Sequence, residues 1–184
     1  MLVRRLWDQE NFVNRFFVLA FVAALGSAGS VMAQANPFTA DAKQTYNMIK
    51  GTVIKAADKM PEADYSFKTT DKVRTYGEII GHIADTNLML CGTAKGEQKT
   101  GDAASKKSKA DLVAALKASF DYCDAVFASL NDTTGAAKVK IFGLEMTKLG
   151  LLNFNTQHDN EMYGTAVAYL RIKGIVPPSS EGRP

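Results

Sequence analysis

Between residues 39 and 60 the apolar side chains Tyr46, Ile49, Val53, Ala56 and Met60 recur at helical spacing. That pattern puts them on one face of a helix, with Thr39 placed to cap it and Pro61 to stop it. Residues 61–74 form a polar loop in which Tyr65 and Phe67 are the expected buried anchors. A second helix opens at Thr75-Tyr76-Gly77-Glu78, a capping box, and runs to about Ala94 before Gly96 ends it. Ser108-Lys109-Ala110-Asp111 resembles a second box and opens a third helix, with Leu112, Leu116, Phe120, Cys123 and Phe127 on its inner side. The fourth runs from about Thr147 to Lys173. Gly174 is its stop signal, and Pro177-Pro178 prevents continuation. The one brief alternating stretch, Lys138-Val139-Lys140-Ile141-Phe142, is too short to build a sheet.

Four helices of roughly 20 residues predict an all-α fold, a four-helix bundle. The linker over residues 95–108 is long for a hairpin and, extended, spans about 45 Å, more than the ~30 Å of a 20-residue helix. It can therefore cross the bundle and make the second and third helices parallel. Cys91 and Cys123 then lie at nearly the same level, whereas an antiparallel hairpin would offset them by on the order of 15 Å. One disulfide is expected in an oxidising compartment; the alternative is two buried free thiols packing as small apolar groups.

The amino-terminal composition bears on that compartment. Arg4, Arg5 and Arg15 precede or flank an unbroken apolar run over residues 16–25, followed by small residues around Ala33 and Ala35. Residues 1–33 read as a cleaved signal peptide, because the run is about half of the ~20 residues a spanning helix needs. The expected product is a periplasmic or secreted domain over residues 34–184, with no membrane association after cleavage. Its loss removes three basic and two acidic side chains, moving the net charge from +3 to +2. Nothing in that balance calls for a nucleic acid. The run Lys106-Lys107-Ser108-Lys109 lacks interleaved aromatics and reads as a solvated linker.

Candidate chemistry rests on the two histidines. The inward stripe of the second helix carries Ile79, His82, Thr86 and Met89; that of the fourth carries Leu151, Asn155, His158, Met162, Thr165, Tyr169 and Ile172. His82 and His158 thus face the interior from different helices, as a metal site in a bundle core requires. Asn155, Thr86 and Thr165 are expected to line a polar pocket around them. Asp159 and Glu161 flank His158 but are expected to project to other faces, as surface groups or as supports behind the ligands. A satisfied core histidine remains the simpler reading of each imidazole. No Ser-His-Asp order, glycine-rich phosphate loop or paired-cysteine zinc motif occurs, so no catalytic residue is assigned.

Tyr76-Gly77-Glu78-Ile79-Ile80-Gly81-His82, the run Asn155-Thr156-Gln157-His158-Asp159-Asn160-Glu161-Met162-Tyr163-Gly164, and the tail from Tyr169-Leu170-Arg171 to Pro177-Pro178-Ser179-Ser180 together resemble the DinB-like superfamily. The resemblance covers the chain beyond the leader and implies a four-helix bundle with a crossover between helices two and three. It also implies a divalent cation, commonly zinc or nickel, on three histidines: one from helix two and two at i and i+4 on helix four. His82 and His158 match two positions; Met162 stands at the third. The implied activity is metal-dependent hydrolysis, or thiol-dependent transfer to a small electrophile. A thioether is a weak ligand for zinc or nickel and suits copper(I). Three expectations follow: a metalloenzyme with an incomplete ligand set, a non-catalytic ligand-binding or structural bundle, and a copper(I) binder. A small-molecule ligand is the expected partner, and pairing of two copies through a helix face accords with the class.

Overall fold

The computed structural model describes residues 36–182, so the expected signal peptide, residues 1–33, lies outside the described residues. Four long helices dominate: α1 (Pro37–Lys59), α2 (Tyr76–Lys95), α3 (Lys109–Ala128) and α4 (Lys148–Ile172). None of the described helices is long and apolar enough to cross a membrane. α2 packs against both α3 and α4, and α1 against α4 and α3. Their apolar stripes close around Tyr46, Val53, Met60, Ile79, Ile83, Leu90, Leu116, Phe120, Phe127, Leu151 and Leu152, all buried. Buried tyrosines need partners for their hydroxyls. Tyr46 donates to the Phe120 carbonyl at 3.0 Å, while Tyr65 and Tyr76 donate to the carbonyls of Ala57 and Ala56, each at 2.7 Å.

The local signals act largely as read. Thr75 accepts from the Glu78 amide while Glu78 accepts from the Thr75 amide, completing the capping box of α2. Ser108 accepts from the Asp111 amide at the start of α3, but Asp111 takes the Ser108 hydroxyl rather than its amide, so this box is not reciprocal. Thr147 caps α4 by accepting from the Gly150 amide. Gly96 ends α2 at φ 92°, a left-handed conformation that favours glycine.

Two local expectations need correction. Thr39 does not cap α1: the helix begins at Pro37, and Thr39 lies in its first turn, bonded through amide and hydroxyl to Asp132. That partner is 93 residues away, beyond the reach of a local reading. The stretch at 138–142 does pair. β1 (Lys138–Ile141) and β2 (Leu144–Thr147) form an antiparallel hairpin, preceded by a single helical turn, Asp132–Gly135. Phe142 and Gly143, both at positive φ, make the two-residue turn that such hairpins require.

Along α2 and α3 the levels rise together. Gly77 faces Leu112, Asn87 meets Ser119, and Cys91 is disulfide-bonded to Cys123 with Cα atoms 5.4 Å apart. The intervening segment lies back along α2. Lys99 sits against Gly92, the amides of Ala103 and Ala104 donate to Asp85 at 2.9 Å each, and the Ala103 backbone covers Gly81. A Cβ on Gly81 would stand 2.9 Å from the Ala103 carbonyl oxygen, so the missing side chain permits this close approach.

Candidate metal centre

α2 and α4 run in opposite directions along their seam: Tyr169 donates to the Arg74 carbonyl at 2.7 Å at one end, and Asn155 meets Asn87 further along. Midway, the imidazoles of His82 and His158 converge. Their Nε2 atoms are 3.1 Å apart, with the rings nearly perpendicular. Both side chains are half-buried. Burial holds the His82 imidazolium below the usual histidine range, and the Arg74 cation and His158 lower it further. Neutral imidazole is the form that carries a free lone pair for a cation.

Beneath the pair lies a buried polar cluster contributed by three helices. Asp159, Asn155, Asn87 and Ser119 are each 0% exposed. Asn155 donates to Asn87 at 2.7 Å, Asn87 to Ser119 at 3.3 Å, and Ser119 to the Leu116 carbonyl. With the Asn87 amide turned over, its nitrogen lies 3.2 and 3.1 Å from the two Asp159 oxygens and its oxygen faces the Ser119 hydroxyl. That orientation supplies the buried carboxylate with donors and puts the same nitrogen 3.2 Å from Asn155 Oδ1. His158 Nδ1 is buried without a hydrogen-bond partner, and Asp159 Oδ1 stands 3.8 Å from it.

Asp159 is therefore interior, which corrects the expectation of a surface group and leaves that of a support behind His158. It follows His158 directly, so the helix turns it about 100° round, from the α2 seam into the space shared with α3. Burial pushes its carboxyl up to about 6, with His158 pulling in the opposite direction. A carboxyl ordinarily near 3.9 in the unfolded chain then binds its proton more tightly when folded, so stability falls as pH rises from about 4 to 6 and stays lowered above that. Asp159→Asn, which carries no charge, is expected to be more stable than wild type at about pH 8 and not at about pH 4. Urea midpoints at the two pH values check this; an equal difference at both would contradict it.

The other assigned residues divide. Asn155 and Thr86 are buried as expected. Thr165 and Ile172 are exposed, although Tyr169 between them on the same stripe is buried. Thr165 instead lines, with Met162, Tyr169, Ile79, Glu78 and Arg74, an open cleft of about 550 Å³ one turn beyond the histidines. Met162 is half-buried at its wall. Glu161 is exposed, as expected. Asn87 and Ser119 escaped the sequence reading. Each lies four residues before a cysteine of the predicted bridge, which was the signal that could have found them.

A divalent cation on this site would have two suitable donors. Two nitrogens bound at 2.0–2.1 Å in a tetrahedron lie about 3.3 Å apart, close to the separation of His82 and His158 Nε2. The Met162 thioether does not suit zinc or nickel. Among the described residues, no group of three His, Cys, Asp or Glu is disposed to hold a metal. The donor set thus fits in two positions and fails in one.

A model of the DinB superfamily matches residues 50–166. Among solved structures, a DinB-like protein from Bacillus cereus superposes with a TM-score of 0.65 at 17% identity, covering 74% of this chain and 93% of that one. A DinB-like protein from Bacillus subtilis gives 0.58 at 18% identity, covering 71% and 92%. A mycothiol-dependent maleylpyruvate isomerase gives 0.58 at 12% identity, covering 70% and 59%. No curated protein matches the sequence.

Proposed function

The chain belongs to the DinB superfamily, and from that membership we propose an exported four-helix bundle, crossed between α2 and α3, in which His82 and His158 hold one divalent cation, zinc or nickel. The observation that carries this reading is the 3.1 Å approach of two Nε2 atoms from opposed helices. A cation held there supplies Lewis acidity that lowers the proton affinity of a bound water or thiol, the chemistry of hydrolysis or of thiol-dependent transfer. The chain's own contribution is positional. α2 and α4 present the two imidazoles at one point, and burial favours the neutral form of His82. The cleft at Met162 and Tyr169 has the volume for a small-molecule substrate beside them. The leader-like residues 1–33 and the bridge between Cys91 and Cys123 support export to an oxidising compartment.

Protein purified without a histidine tag is the material for the test. Zinc titration is expected to give one weak site, with a Kd on the order of 10 μM, lost in His82→Ala and in His158→Ala. Failure of wild type to take up either zinc or nickel ends the reading.

A second reading is favoured by Met162 and by the same short distance, since two imidazoles at 3.1 Å also make an ordinary hydrogen bond. On it, the domain binds a small ligand in the cleft, or serves structurally, and has no metal chemistry. Copper(I) is the soft-metal variant of the first reading. Competition with a copper(I) chelator under reducing conditions separates it from zinc.

A further inference from the structure

Two unmet needs sit side by side in the interior: a buried imidazole nitrogen without a partner, and a buried carboxylate without a cation. His158 Nδ1 is the first, and Asp159, 3.8 Å away, is the second. No ion pair to Asp159 other than this long approach to His158 occurs among the described residues. The carboxylate is nevertheless not free to wander. Asn87 from α2 and Asn155 from its own helix lie against it, and Ser119 from α3 anchors Asn87 in turn. All four side chains are fully buried, so this arrangement is part of the packed interior and not a surface accident.

We propose that Asp159 is the positioning residue of His158: held by Asn87 and Asn155, its carboxylate keeps the imidazole proton on Nδ1 and leaves the Nε2 lone pair facing His82. The physical reason is directional. A shift of under about 1 Å brings Nδ1–H into hydrogen-bond range of Oδ1, whereas a bare Nδ1 lone pair pointed at a carboxylate is repelled. With the Nδ1 site protonated, Nε2 of His158 is an acceptor, and in metal-free protein the bond across the seam must be donated by Nε2–H of His82. The two histidines therefore hold opposite tautomers. His158 is set as a donor atom for a cation, while His82 must move its proton to Nδ1 before it can ligate.

This inference rests on the metal reading only for its consequence in affinity; the tautomers are a property of the metal-free chain. The experiment is nitrogen-15 NMR of uniformly labelled, metal-free, untagged protein at about pH 8. Wild type is expected to show His158 as the Nδ1–H form and His82 as the Nε2–H form. In Asp159→Asn, which preserves volume, His158 is expected to revert toward the Nε2–H form that free imidazole side chains favour, and zinc affinity to fall about 10–100-fold. Asn87→Ala, which loosens the carboxylate without touching it, is expected to move His158 in the same direction by less, and stands in if Asp159→Asn does not fold. A His158 spectrum unchanged in the variants, or wild-type His158 already in the Nε2–H form, overturns the proposal. If the tautomers shift as expected while wild type binds no zinc, the positioning role stands and the metal reading falls; the converse result separates them the other way.

Discussion

Met162→His is expected to tighten zinc binding on the order of 1000-fold, about 4 kcal/mol. Residue 162 is one helical turn from His158 on α4 and half-buried at the cleft wall. An imidazole there adds a strong, borderline donor where the thioether offers a neutral, weak one. The histidine is smaller than the space available in a cleft of about 550 Å³, so the core need not move to admit it. Calorimetric titration of untagged wild type and variant checks this, with a chelator restoring the metal-free state. Should the variant bind no better than wild type, α2 and α4 are not set to bring three ligands to one point, and the reading of the seam as a metal site loses its main support.

Removing the bridge is expected to cost stability on a similar scale. Cys91 and Cys123 are 32 residues apart, and closing a loop of that length restricts the unfolded chain by about 4 kcal/mol on the loop-entropy model. Both sulfurs are fully buried, so Cys91→Ala/Cys123→Ala also leaves a small void at the α2–α3 contact. Urea unfolding of the double variant against oxidised wild type should show a much lower midpoint and a steeper slope, because the unbridged unfolded chain exposes more surface. Reductant added to the folded protein should act slowly, because the bond is reached mainly through unfolding. Equal midpoints for variant and wild type would show that the bridge does not constrain the chain.

What could be read from sequence was what depends on neighbours in the chain. Thr75 with Glu78, Ser108, Thr147 and Gly96 mark helix ends within four residues of their partners, and each lies where it was expected. Thr39 was misread because its partner, Asp132, is distant, and a threonine two residues after Pro37 looks the same whether it caps or reaches across. The second strand of the hairpin was hidden because Leu144-Glu145-Met146 continues without a break into the helix that Thr147 caps. At the site, the two histidines were legible from spacing alone, and Met162 from the family pattern. Asp159 was legible only as one of two options, a surface group or a support behind His158: a charged residue normally faces water, and only the polar cluster from α2 and α3 makes its burial tolerable.

Five lysines, at positions 95, 99, 106, 107 and 109, fall in or beside the segment that joins α2 to α3, which makes it an inviting stretch for a trypsin-like protease. Its backbone is pinned to Asp85, and Lys109 Nζ donates to the carbonyls of Asp58 and Met60 at 2.8 Å each. Cutting therefore has to wait for the segment to peel away. Even then, every one of those lysines lies between Cys91 and Cys123. A nick at any of them divides the chain into two pieces still joined by one covalent bond, and leaves His82 and His158, one on each piece, tethered to a common fold.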